Sequence, residues 1–353
     1  MIDAVDLFCG VGGLTAGLRQ AGIFVQAGYD IERQCRYAYE SNNDAAFECK
    51  DVQEVTKDEL DAWFAQGGRP YRLLAGCAPC QPFSTYNQGK DTSTDRKWPL
   101  LYHFARLIRE VQPELVTMEN VPDVTKHQVY RDFVKNLEEQ NYHVWAEQVS
   151  CVDYGLPQKR RRHVLLASKL GPIALIPPTH QGEPLTVMDV IGGLPAIAAG
   201  ECAASDPLHR AATLTPLNMQ RIMHSKPGGT WRDWPAELVA NCHKKSSGKT
   251  YPSVYGRMRE DEPSPTMTTL CYGFGNGRFG HPSQNRAISL REAAILQSFP
   301  HDYEFMEPEK ISFKAVGRMI GNAVPVRLGE VIGKSLMAHL ENYPELDEDE
   351  YFL

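Results

Sequence analysis

Ala4-Val5-Asp6-Leu7-Phe8-Cys9-Gly10-Val11-Gly12-Gly13 runs an apolar segment straight into a glycine-rich turn. The apolar part reads as a strand. Leu14, Leu18 and Ala21, behind the glycines, share one face of a helix that Gly22 is placed to end. Residues 23–29 read as a second strand, closed by Asp30. The alternation then continues, with a helix over 33–41, a third strand ending near Asp51 and a fourth over 71–75. A helix over 99–111, a fifth strand over 115–118, a helix over 129–140 and strands near 143–150 and 163–168 complete the run. Repeated β-α-β units predict an α/β fold: a doubly wound, mostly parallel sheet covered by helices on both faces.

The rhythm fails after about residue 170, where Pro172, Pro177, Pro178, Pro184, Gly192, Gly193 and Pro195 crowd in. The pattern assigns 1–178 to a first domain and 179–285 to a second, smaller and irregular one. Residues 286–353 resume helical periodicity at 289–297 and 326–340 and are expected to return to the first sheet. A length of 353 residues suits two domains, because single cores stop growing beyond about 250–300 residues. With 42% hydrophobic and 23% charged residues the composition is that of an ordinary globular protein, which excludes a disordered or fibrous chain. No apolar run approaches the roughly 20 residues of a membrane span, and Met1-Ile2-Asp3-Ala4 is no secretory leader, so the expected location is the cytoplasm. The nine cysteines are odd in number and scattered, which reads as reduced thiols. A formal charge of −7 argues against a nucleic-acid partner until its distribution is seen. Residues 341–353 hold six acids and no base, leaving −1 for the rest, while 221–259 hold eight Lys/Arg against two acids. A near-neutral body with one concentrated basic segment can bind an anion.

Four motifs carry chemistry. The glycine loop admits either a nucleotide-like cofactor, held by backbone N–H groups at a helix N-terminus, or a tight structural turn. Asp30, 24 residues after Asp6, stands where doubly wound folds receive ribose hydroxyls. The loop lacks the full G-x-G-x-x-G spacing, and no G-x-x-x-x-G-K-[ST] occurs, which disfavours a nucleoside triphosphate. Gly76-Cys77-Ala78-Pro79-Cys80-Gln81-Pro82-Phe83-Ser84 follows the fourth strand and has three readings. A redox C-x-x-C would open a helix, whereas Pro82 and the polar stretch after it read as a loop. A zinc site would need a second pair of ligands, for which no other C-x-x-C or suitably spaced His pair exists. A reactive thiolate is the third reading. Glu119-Asn120-Val121-Pro122 ends the next strand, where a carboxylate could serve as a buried acid or simply shape a turn. Lys159-Arg160-Arg161-Arg162 is either a solvated face or, by strand alternation, a pair of arginines (Arg160 and Arg162) aimed to one side at phosphate or a base carbonyl.

Assembled, these blocks resemble the C5-cytosine-specific DNA methyltransferases of bacterial or phage type. The shared elements, in order, are Asp6 to Gly13, Asp30, Asp51, Pro79-Cys80-Gln81, Glu119-Asn120-Val121 and Gln158-x-Arg160-x-Arg162. Arg286 to Pro300 and Ile320-Gly321-Asn322-Ala323-Val324-Pro325 follow. The match covers about 1–178 and 286–335, and residues 179 to about 250 correspond to nothing, as a target-recognition region would. Asp30 stands where Glu is usual and Cys9 fills a small-residue slot; both changes keep the chemistry.

The resemblance implies an S-adenosylmethionine-dependent, Rossmann-like first domain and no metal. Phe8 would lie against the adenine with Ile31 near it, the glycine loop (Gly10, Gly12, Gly13) would hold the methionine part, and Leu14 and Pro79 would also belong to the cofactor site. Asp30 would take the ribose, Asp51 and Val52 the adenine edge, and Asn322-Ala323-Val324 would close the pocket. Cys80 would attack C6 of a flipped cytosine, Glu119 would neutralise charge at N3, and Arg162 would hold O2, with Arg160 and Gln158 beside it. Pro82 to Trp98 would form a lid. The expected partner is double-stranded DNA, met by Ser84, Lys244, Lys245, Lys249 and Arg257, with a cognate restriction endonuclease in the same system and the chain itself a monomer. An RNA cytosine-5 methyltransferase of the same lineage is the competing enzyme, disfavoured by the long 179–285 insert. A catalytically silent DNA-binding module is the competing non-enzyme, disfavoured by intact Cys80, Glu119 and Arg162.

Overall fold

The structure is a computed structural model, and it describes residues 1–79 and 99–343. Its main sheet has seven strands: β1 (Ile2–Leu7), β2 (Phe24–Asp30), β3 (Ala46–Cys49), β4 (Tyr71–Gly76), β5 (Leu115–Asn120), β6 (His143–Ser150) and, after the two-residue β7 (Gln158–Lys159), β8 (Arg161–Ser168). The strand order is β3-β2-β1-β4-β5-β8-β6. β1 to β5 pair in parallel and β8 runs antiparallel to β5, which bears out the expected α/β class with a mostly parallel sheet. Order reverses between β1 and β4, so the loops after those strands open side by side at the carboxyl edge, the usual place for a ligand in such a sheet.

The parallel strands are apolar along their length because both faces are covered. Val5, Leu7, Leu74, Val116 and Met118 are buried against Phe104, Leu107 and Ile108 of α4 (Pro99–Val111) and Phe133 and Leu137 of α5 (Gln128–Glu139). On the other side α1 (Gly13–Gln20) meets α11 (Val326–Leu340) so closely that a Cβ at Gly329 would lie 2.9 Å from the Leu14 carbonyl. Only glycine permits that approach. Thr56 and Glu59 form a capping box at the start of α3 (Lys57–Gly67), and α2 (Arg36–Asn42) precedes β3.

Packing divides the chain into two compact units, Met1–Val149 with Arg161–Pro177 and Leu328 onward, and Ser150–Arg160 with Pro178–Arg327. Residues 286–327, expected with the returning segment, thus pack within the second unit. Arg286 forms a buried bidentate pair with Glu292, and Arg291 reaches Asp206. The second unit contains α6 (Val187–Ile191), α7 (Pro216–His224), α8 (Asn241–Lys244), α9 (Leu290–Leu296) and α10 (Phe313–Asn322), with β7 paired to β9 (Ser264–Pro265). One of its cores gathers Ile222, Trp231, Trp234, Leu238, Phe274 and Ala287. Among the described residues no helix is long and apolar enough to cross a membrane.

Candidate active site

β1 ends at Leu7, and the chain turns at once. Phe8 and Gly10 take positive φ (61° and 51°), and Gly12, at 85°, forms the N-cap of α1. The Asp30 carboxylate, at the end of β2, ties the turn down by accepting from Gly10 N at 2.9 Å and from Glu32 N at 2.8 Å. A Cβ at Gly10 would meet nothing within 4 Å among the described residues, so the space beside that glycine is open to them. Phe8 is half-buried and Ile31 is 69% exposed, an apolar side chain presented to the outside next to the Asp30 carboxylate. Asp51 lends Oδ1 to Gln53 N and Oδ2 to Gln53 Nε2, while Val52 and Leu14 are buried. Gly13 opens α1, and Pro79 is half-buried. Beneath the loop Asp6 is fully buried, with Thr15 Oγ1 donating to it at 2.7 Å. Burial pushes its carboxyl up to about 7, against the opposing pull of that hydrogen bond.

At the carboxyl ends of β4 and β5 a second set of side chains converges. Glu119 is 3% exposed. The Cys77 thiol donates to its Oε2 at 2.8 Å, and Arg162 Nε lies 2.7 Å from its Oε1. That N–H is not aimed along the line, so Oε1 finds no aligned donor among the described residues. Asn120 Nδ2 donates to Ala78 O, and Val121 N donates to Asn120 Oδ1, which pins the two loops to each other. β8 brings Arg162 here because it pairs with β5 in the register Glu119↔Val164 and Asn120↔His163. His163, absent from the sequence expectation, is buried with Nε2 2.7 Å from the Tyr130 hydroxyl. Cys80, Ser84 and the expected lid from Pro82 to Trp98 lie outside the described residues.

Three expected site residues are occupied within the protein. Gln158 is fully buried, its amide nitrogen donating to Leu296 O and Gln297 Oε1 and its oxygen accepting from Met267 N. Arg160 is 3% exposed and donates to Gln158 Oε1, Met267 O and Ala323 O. Both residues thus brace the second unit, and alternation alone misled about where Arg160 points. Gln297, given no role from sequence, completes that network by donating to Ala323 O. Arg257, expected on DNA, is 5% exposed and donates to Ile222 O, Ser225 O, His281 O, Gln284 O and Asn285 Oδ1. Its donors are taken by four backbone carbonyls and one side-chain amide, which corrects the expectation of a phosphate contact. Lys244, Lys245 and Lys249 are exposed on α8 and the turn after it. Asn322 is exposed, whereas Ala323 and Val324 are buried in the second unit.

Residues 2–338 match the model of the family described as C-5 cytosine-specific DNA methylase. The chain is 52% identical, over 98% of both chains, to the Type II methylase M.HgiDII of Herpetosiphon aurantiacus. It is 31% identical to the Type II methyltransferase M.PspPI of a Psychrobacter species, over 97% of this chain and 80% of that one. Its fold is similar to that of a putative DNA modification methyltransferase encoded within an Escherichia coli prophage (TM-score 0.74, 22% identity, 97% and 100% of the two chains).

Proposed function

The chain belongs to the C-5 cytosine-specific DNA methylase family and is a DNA cytosine-5 methyltransferase, and from that premise we propose how its residues divide the work. Such an enzyme takes its target base out of the duplex, because C6 is shielded within the stack. The observation that carries the assignment is the Glu119 carboxylate. It is buried at the carboxyl edge of the sheet, beside a guanidinium, with one oxygen lacking an aligned donor among the described residues. A buried acceptor in that state costs free energy unless a ligand satisfies it.

Cys80 is the proposed nucleophile. Aromatic cytosine is too poor a nucleophile at C5 to accept a methyl group, and addition of the thiolate to C6 makes C5 an enamine carbon. Glu119 holds a proton against N3 as negative charge builds there, and Arg162 stands at O2. After methylation, loss of the C5 proton lets the thiolate leave.

S-adenosylmethionine is the proposed cofactor, and its contribution when bound is an electrophilic methyl group. The open, left-handed glycine loop at the head of α1 suits a methionine carboxylate, Asp30 suits ribose hydroxyls, and Phe8 with Ile31 offers apolar surface to a purine. We assign catalysis to 1–178 and target recognition to 179–285, with the exposed Lys244, Lys245 and Lys249 as phosphate contacts. The Type II names of the relatives favour a restriction–modification setting with a cognate endonuclease. A monomeric enzyme in the cytoplasm completes the proposed reading. Transfer of labelled methyl from S-adenosylmethionine to duplex DNA and to transfer RNA, with the product base identified, tests the reading. It requires 5-methylcytosine in the duplex; label confined to RNA contradicts it.

A further inference from the structure

We propose that Cys77 is a positioning residue for methyl transfer: its thiol occupies one oxygen of Glu119 so that the other is kept for the flipped cytosine. The proposal rests on the role given to Glu119 above. Cys77 follows β4 directly, and the parallel register Gly76↔Met118 sets it alongside Glu119. Its backbone has little freedom, because Cys77 N donates to Leu7 O and the next carbonyl, Ala78 O, accepts from Asn120. The thiol is therefore held at Oε2 by strand geometry, at 2.8 Å.

A glutamate at a strand end can turn about its last torsion, which is broad and roughly two-fold. Such a turn exchanges its two oxygens. In this site the oxygens are not equivalent. Oε2 has the thiol, while Oε1 faces Arg162 at 2.7 Å with no aligned donor among the described residues. A donor on one oxygen fixes which of them meets N3. A thiol is a weak donor, so it orients the carboxylate while competing little for the proton that catalysis needs. The remaining described cysteines stand elsewhere, in the first turn (Cys9), around α2 and β3 (Cys35 and Cys49) or in the second unit.

The two roles open to Cys77, filling space and donating a hydrogen bond, predict opposite orders of activity. Valine keeps the volume and loses the donor; serine keeps the donor and loses volume. We expect Cys77→Ser to transfer methyl within about threefold of wild type. Cys77→Val and Cys77→Ala should be slower by about tenfold, the worth of one hydrogen bond to a charged group. The measurement is single-turnover transfer to duplex DNA, with duplex and S-adenosylmethionine affinities and melting temperature recorded for each variant. The affinities should stay unchanged, so the loss falls on the chemical step. Equal activity of the valine variant, or valine faster than serine, overturns the proposal. Glu119→Gln, run in parallel, separates the premises. If it retains full activity, the role of Glu119 fails; if it is inactive while Cys77→Val is normal, only the role of Cys77 fails.

Discussion

Arg257 and Lys249 lie eight positions apart in the sequence and look alike in a count of charges, yet their surroundings give them different work. Arg257 is buried with its donors turned to five acceptors drawn from residues 222 to 285, whereas Lys249 is exposed. Removing a buried guanidinium leaves carbonyls unpaired, so Arg257→Ala should lower folding stability by about 3 kcal/mol. Urea denaturation checks this, and normal stability with lost DNA affinity would return Arg257 to the interface. Nothing in the local sequence separates the two cations, because the partners that consume Arg257 are distant in the chain. Gln158 and Arg160 escaped for the same reason: their acceptors come from 267, 296, 297 and 323. The placement of Asp30, Glu119 and the glycine loop was legible because it is local, set by one strand ending and one turn beginning.

Elements divide along the same line. Strands and helices of the first unit are long enough for a period to declare itself, and α4, expected over 99–111, spans Pro99–Val111. In the second unit α8 has four residues and β7 and β9 two each, too short for any periodicity to be read. What holds α8 is tertiary. His243 stacks on Trp231 with ring centroids 4.4 Å apart, and His243 Nδ1 lies 3.3 Å from Gly248 O, closing the turn that carries the lysines. With Lys244, Lys245 and Lys249 displayed on that support, their joint change to Ala should weaken binding to target and scrambled duplexes alike. Each lost phosphate contact should flatten the slope of log affinity against log salt by about 0.9. An unchanged slope would make the cluster ordinary surface, and a loss confined to the target duplex would make these lysines base readers.

For the whole molecule, each unit carries a histidine that burial holds neutral. Burial pushes His163 in the first unit and His281 in the second down to about 4 from an ordinary 6.5. His281 Nδ1 accepts from Ser283 N and Gln284 N, a geometry that requires an unprotonated nitrogen. Between those pH values the unfolded chain binds more protons than the folded one. Their contribution is therefore complete above about 6.5 and lost as pH falls toward 4. Asp6 acts in the opposite sense: raised from 3.8 to about 7, it favours the folded state at low pH and loses that contribution as pH rises through 7. The net acid sensitivity should accordingly be shallower in His163→Phe than in wild type over pH 6.5 to 4. Chemical denaturation at stepped pH reads this directly, and identical slopes would show that His163 is not buried neutral.

The central claim, that Cys80 attacks cytosine C6 within a pocket whose acid is Glu119, has its most direct test in a trapped adduct. Duplex DNA carrying 5-fluorocytosine cannot release fluorine as a proton, so the covalent intermediate should persist once the methyl group has been transferred. Intact-mass measurement should find one DNA strand bound per protein, dependent on S-adenosylmethionine, and fragment-ion sequencing should place it on Cys80. Cys80→Ser should form none. Absence of the adduct in active enzyme, or its location on Cys77, would contradict the account.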